Sequence, residues 1–173
     1  MTVERGKIIF VIGGAKSGKS GFALCSASNL PGKKAYIATA QPFDNEMEER
    51  IIRHKKERPD EWGLYEEPMN VSGLLANIHV SHDVLLLDCL TLWVSNLLLE
   101  EREIEAEIGL FMKSLSSCSS TLYIVSNEVG CGIVPDNSLS RRFRDIAGSL
   151  NQKVAAAADE VYLVTAGIPI KIK

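Results

Sequence analysis

The chain has 173 residues, 46% of them hydrophobic and 24% charged, and a formal net charge of −3. That length fits one domain over residues 1–173, and the acidic balance argues against a general nucleic-acid binder, which carries a basic surplus. The four cysteines, Cys25, Cys89, Cys118 and Cys131, have neither metal-ligand spacing nor disulfide density, and no apolar run reaches the roughly 20 residues of a membrane span, so a soluble cytoplasmic protein with free thiols is expected.

Residues 8–12 are an unbroken apolar run, as in a strand buried on both faces. Gly13-Gly14 ends it, and a helix is predicted to start near Lys19. Residues 34–38 read as a second strand. Residues 44–57 read as a helix, with Asp44 and Asn45 as caps, acids in the first turns and bases in the last. A short helix is predicted at 71–78, a strand at 84–88, and helix over 90–115 with a break near Glu100. Strand returns at 121–125, a loop follows at 130–137, then a long helix at 138–158. Strands are predicted at 160–165 and 168–172. Serine-rich residues 114–121 read as a turn, Trp62 and Trp93 as packing residues, Glu100 to Glu107 as a solvated helix face, and His79 and His82 as surface residues. Strands alternating with helices imply a mainly parallel sheet covered on both faces. Ligands in such folds gather beyond the C-terminal strand ends, where Gly13, Thr39, Asp88 and Asn127 fall.

Gly13-Gly14-Ala15-Lys16-Ser17-Gly18-Lys19-Ser20 matches the phosphate-loop pattern G-x-x-x-x-G-K-[ST]. Glycines let backbone N–H groups close round a phosphate, and the following helix N-terminus adds positive dipole. Lys19 is expected on the β- and γ-phosphates and the Ser20 hydroxyl on Mg²⁺. Asp88, at a strand end, is placed to hold the same metal or to cap the next helix. The pattern alone leaves several enzymes open. A guanine-reading N-K-x-D motif is missing where Ser126-Asn127-Glu128-Val129-Gly130 stands, which weakens a GTPase switch. A small-molecule kinase suits the length better than an ATPase motor, and a nucleotide-binding regulatory module is the non-enzymatic alternative.

His54 either extends an apolar stripe with Met47 and Ile51 or, as a neutral imidazole among Lys55, Lys56 and Arg58, attacks a phosphorus centre. Arg141, Arg142 and Arg144 either bind phosphate or a neighbouring subunit, or form surface ion pairs. Asn127 and Glu128 either line the site or cap a turn.

Taken together, several segments resemble the bifunctional adenosylcobinamide kinase / adenosylcobinamide-phosphate guanylyltransferase family. They are the phosphate loop, Tyr36-Ile37-Ala38-Thr39-Ala40, Arg50-Ile51-Ile52-Arg53-His54-Lys55 with Arg58-Pro59, Trp62 with Glu66-Glu67-Pro68, and Asp88-Cys89-Leu90-Thr91. Later ones are Ser126-Asn127-Glu128-Val129-Gly130, Gly132-Ile133-Val134-Pro135 and Arg142-Phe143-Arg144-Asp145-Ile146-Ala147-Gly148. The resemblance implies an α/β P-loop NTPase fold of RecA-like type, a three-layer sandwich with a mainly parallel sheet, assembled as a homotrimer. It implies phosphorylation of adenosylcobinamide by ATP or GTP. GMP transfer from GTP through a guanylylated histidine to adenosylcobinamide phosphate then follows, with Mg²⁺ as cofactor. The histidine aligns with His54. The nucleotide contacts align with Gly13, Gly14, Ala15, Lys16, Ser17, Gly18, Lys19 and Ser20, with Ala38, Thr39 and Ala40, with Lys55, Lys56, Glu57 and Arg58, and with Glu66 and Asp88. Lys16 stands where Arg is common, which keeps charge without the fork geometry, and Asp88 where some relatives carry Glu.

Overall fold

The computed structural model describes residues 5–42, 49, 51–52, 55 and 59–173. Most of the helix expected at 44–57, with His54, Lys56, Glu57 and Arg58, lies outside the described residues; Glu49, Ile51, Ile52 and Lys55 are helical.

Seven strands form one sheet: β1 (Ile8–Gly13), β2 (Lys34–Ala38), β3 (Gly63–Glu66), β4 (Val84–Asp88), β5 (Thr121–Asn127), β6 (Glu160–Thr165) and β7 (Ile168–Lys171). Their order is β3-β2-β4-β5-β1-β6-β7. All neighbours are parallel except β6 and β7, which are joined by a two-residue turn whose Ala166 (φ 50°) and Gly167 (φ 79°) both have positive φ. That is the backbone a tight hairpin with right-handed twist requires.

The period-two alternation of strand side chains divides the core. Ile8, Phe10, Ile37, Leu85, Leu87, Leu122 and Ile124 face one side. Ile9, Val11, Tyr36, Leu86, Tyr123, Val125 and Val164 face the other. The first side is covered by α2 (Val71–Ile78), α3 (Leu90–Leu99), α4 (Ile104–Ser117) and α5 (Ser138–Ala157), through Leu75, Trp93, Leu97, Phe111, Leu150 and Val154. The second is covered by α1 (Lys19–Ser28), whose Ala23 and Ala27 let it lie close to the strands. Trp93 is fully buried, tilted against Phe111 with ring centroids 5.1 Å apart, and its indole N–H donates to the Met69 carbonyl at 2.8 Å. It is a packing residue, as expected. Truncating it to Ala would cost about 3–5 kcal/mol. The long helix α5 starts at Asn137, whose side chain accepts the Ser140 N–H at 2.8 Å, a good N-cap.

Three expectations are corrected. β3 was not anticipated, because its four residues alternate between half-buried and exposed and present no apolar run. His82 is buried at 6% exposure rather than on the surface, since Ser81 and the Ile78 carbonyl satisfy its ring nitrogen and Tyr65 packs edge-on against it. Ser114 to Ser117 end helix α4 instead of forming a turn, with hydroxyls bonded back to carbonyls one turn earlier. Among the described residues, no helix is long and apolar enough to cross a membrane.

Candidate active site

Parallel strands bring their C-terminal ends to one edge. The register pairs Gly13 with Asn127 and with Val164, and Ala38 with both Asp88 and Glu66. The phosphate loop leaves β1 at Gly13 and turns into α1 at Gly18. At Gly13 a Cβ would sit 2.4 Å from the Val164 carbonyl oxygen and 2.6 Å from Ser17 Oγ, so only glycine fits. Gly18 has φ 93°, a left-handed conformation that side chains disfavour, and caps α1. The loop is also held from outside, where the Gly167 N–H donates to the Ser17 carbonyl at 2.8 Å.

Gly14, Ala15, Lys16 and Gly18 form an exposed rim, Ser20 is half-buried, and Ser17 and Lys19 are buried at 8% and 6% exposure. Lys19 Nζ donates to the Gly14 carbonyl at 3.0 Å, across the loop. Among the described residues, Ser17 Oγ is buried without a hydrogen-bond partner, a state that is costly unless something completes it. A phosphate oxygen would do so. Asp88 ends β4 half-buried, its Oδ2 accepting the Tyr36 hydroxyl at 2.8 Å. The Asp88–Cys89 peptide is cis. Asp88 does not cap α3, because residue 89 takes the N-cap position. That removes the helix-cap alternative for its carboxylate.

Behind this edge lies a layer of buried polar contacts. Asn127 Nδ2 donates to Thr91 Oγ1 at 2.6 Å. The Asn127 carbonyl accepts from Asn151 Nδ2 at 3.2 Å, and Asn151 Oδ1 accepts from Ser126 Oγ at 2.7 Å. Burial pushes the Cys89 thiol up to about 11, with the negative Asp88 beside it adding to the shift, so it is no nucleophile at neutral pH. Asn127 therefore belongs to the site's frame. Glu128 serves a turn, accepting the Gly130 N–H at 2.6 Å, although its own N–H donates to the Gly13 carbonyl at 3.0 Å.

Ala38, Thr39 and Ala40 lie at the exit of β2, with Thr39 fully buried. Lys55 and Glu66 meet as an ion pair at 2.5 Å. Lys55 also borders a cavity of about 190 Å³ with Tyr36, Asp60 and Trp62, and the indole N–H of Trp62 is buried with no partner among the described residues. Trp62 therefore packs, as expected, while keeping a donor in reserve. Arg141 donates to the Pro135 and Asp136 carbonyls, and Arg144 pairs with Asp145 at 3.1 Å, so two of the three clustered arginines serve their own loop and helix. A groove of about 1030 Å³ lies between the α3–α4 connection and α5 and is lined by none of the aligned nucleotide residues. The roles of Tyr36 and Asn96 were missed from sequence. Both act across 28 residues or more, on Asp88, Thr39 and Pro68, and a local pattern carries no signal for that.

Over residues 9–172 the chain matches the family described as cobinamide kinase / cobinamide phosphate guanyltransferase. It is 42% identical to the bifunctional adenosylcobalamin biosynthesis protein CobU of Salmonella typhimurium, covering 96% of this chain and 99% of that protein. It is 39% identical to the bifunctional adenosylcobalamin biosynthesis protein CobP of Pseudomonas aeruginosa, covering 94% of this chain and 95% of that protein. Among solved structures, the RadB recombinase is similar with a TM-score of 0.54 and 13% identity, covering 92% of this chain and 74% of that one. That likeness bears on the fold alone, which is RecA-like α/β.

Proposed function

Since this chain belongs to the cobinamide kinase / cobinamide phosphate guanyltransferase family, we propose that its one phosphate loop serves two successive phosphorus transfers. The chain is a bifunctional enzyme of cobalamin biosynthesis, a cobinamide kinase and cobinamide-phosphate guanylyltransferase. In the kinase step the aminopropanol hydroxyl of adenosylcobinamide attacks the γ-phosphorus of ATP or GTP. The hydroxyl proton is released, the bond to the β-phosphate oxygen breaks and the nucleoside diphosphate leaves. In the second reaction a ring nitrogen of His54 attacks the α-phosphorus of GTP, forming an N–P bond as pyrophosphate leaves. A phosphate oxygen of adenosylcobinamide phosphate then displaces the imidazole, giving adenosylcobinamide-GDP. Lys19 and the loop N–H groups offset charge on the transferred and leaving phosphates in both reactions.

Ser20 and Asp88 would hold Mg²⁺. A hydroxyl and a carboxylate are the hard oxygen donors this cation takes, alongside waters and phosphates. When bound, it would neutralise charge on the phosphate chain. Ala38 and Ala40, with only the main chain of Thr39 between them, and Lys55, Lys56, Glu57, Arg58 and Glu66 complete the proposed nucleotide site. A cytoplasmic homotrimer is the assembly carried over with this reading, and light scattering on the purified chain checks its mass.

The observation that carries the reading is the phosphate loop itself, which brings Lys19, and a buried Ser17 hydroxyl with no partner among the described residues, to the strand edge that also holds Asp88. GTP labelled at the α-phosphate, incubated with the protein and Mg²⁺, should leave acid-labile, alkali-stable label on the denatured chain at His54. His54→Ala should abolish the label and keep phosphorylation of cobinamide. Full guanylyl transfer by that variant would reject the histidine as nucleophile.

A further inference from the structure

Thr39 lies among the aligned nucleotide residues, yet its side chain is turned to another use. It is 0% exposed. Its hydroxyl donates to the Cys89 carbonyl at 2.8 Å and accepts the Cys89 N–H at 2.9 Å, so one oxygen grips a single residue's backbone on both sides. The Thr39 N–H donates to the Asp88 carbonyl at 3.2 Å. Ala38 with Asp88 is the last register pair between β2 and β4. Beyond that pair the ladder ends, and Cys89, at 4% exposure, would have an orphaned N–H without the threonine. Behind Thr39 stands Asn96, 2% exposed, whose Nδ2 donates to the Thr39 carbonyl at 2.8 Å and to the Pro68 carbonyl at 3.0 Å.

We propose that Thr39, backed by Asn96, is a positioning residue that fixes the Asp88 carboxylate for the metal–nucleotide complex and makes no side-chain contact with the nucleotide. The inference rests on the reading of Ser20 and Asp88 as the metal's ligands. The main chain of Asp88 is held by Thr39 and its carboxylate by Tyr36, so the carboxylate is constrained at both ends. Loosening the main chain leaves the phosphate loop intact and moves the metal ligand. A nucleotide contact through Thr39 would instead weaken binding whether or not metal is present. A brace serving stability alone would lower the melting temperature and leave metal dependence unchanged.

The test is equilibrium binding of a fluorescent, non-hydrolysable GTP analogue to the full chain, in chelator and across a Mg²⁺ titration, with melting temperatures alongside. Thr39→Val keeps the shape and removes the hydroxyl. It should bind the analogue in chelator within about twofold of the parent while needing roughly tenfold more Mg²⁺ for half-saturation, since the loss of both hydroxyl hydrogen bonds reaches the metal only through the Asp88 main chain. Thr39→Ser should restore the Mg²⁺ requirement to within about threefold. An unchanged requirement in Thr39→Val, weaker binding in chelator, or a serine variant as impaired as the valine one would each overturn the proposal. Should Thr39→Val not fold, Asn96→Ser frees the Thr39 carbonyl without touching Cys89 and should raise the requirement about threefold; no rise there overturns it equally. Asp88→Asn separates the two layers. If it leaves Mg²⁺ dependence unaltered, the metal reading itself fails and the brace fails with it. A shift in Asp88→Asn without one in Thr39→Val sinks the brace alone.

Discussion

The N–H of Gly167 donates to the carbonyl of Ser17 at 2.8 Å, tying the turn of the last hairpin to the phosphate loop across 150 residues of chain. Gly18 lies close to the same turn residue; a Cβ added there would lie 3.1 Å from Gly167 Cα. Gly18→Ala therefore meets both a left-handed backbone and a crowded neighbour, and should lose about 1–2 kcal/mol of stability together with nucleotide affinity. Gly14→Ala, with open space around the new methyl and no positive φ, should stay within about 0.5 kcal/mol of the parent. Denaturant unfolding of the two variants checks the ordering.

Lys19 crosses the loop to the Gly14 carbonyl and is almost wholly buried, so its charge acts where solvent screens little. Lys19→Met should lower kcat/KM by about 10²-fold or more in both half-reactions, the loss typical of one transition-state donor. Assaying cobinamide phosphorylation and GMP attachment separately tests whether one lysine serves both; loss of only one would divide the site.

Glu160 is held at about 2, below its ordinary 4.5, first by Lys7, then by Lys171 and the Tyr162 hydroxyl. Asp159 is also lowered, chiefly by Arg5. A depressed carboxylate contributes stability above its unfolded value and loses it as the pH falls through the folded one. The contribution of Glu160 should thus be complete above pH 4.5 and fade between about 4.5 and 2. The lysines are about half exposed, so salt should weaken the effect. Melting curves of the parent and Glu160→Gln should differ most at neutral pH and converge toward pH 2.

Cys25 and Cys131 are exposed, whereas Cys89 and Cys118 are buried with raised thiol values. Iodoacetamide at pH 8 should modify the first two in the native protein and all four after denaturation. Intact mass and peptide mapping read this directly. Rapid native alkylation of Cys89 would contradict the closed packing behind Asp88.

The features legible in sequence were those written in neighbouring residues. The phosphate loop shows itself through contiguous glycines after an apolar run, and α2 was legible as a short helix candidate. β4 shows itself through four apolar residues ending in aspartate. What stayed hidden depends on partners far along the chain. Nothing near Thr39 in sequence reveals that Cys89, 50 positions later, engages its hydroxyl on both sides. His82 looks solvated until Tyr65 covers it, and β3 becomes a strand because β2 offers it a free edge.

The strand order separates the two halves of the proposed catalytic edge by a fixed interval. β1, which delivers the phosphate loop, and β4, which delivers Asp88, do not touch; β5 lies between them and pairs with both. Two inter-strand spacings amount to roughly 9–10 Å, a distance imposed by main-chain hydrogen bonding and indifferent to loop sequence. Side-chain substitutions can therefore tune how the gap is filled, but its width is a property of the sheet. The intervening strand is itself uneven, since Asp88 is level with Val125 while Gly13 is level with Asn127, so the two halves are also offset along the strands by two residues.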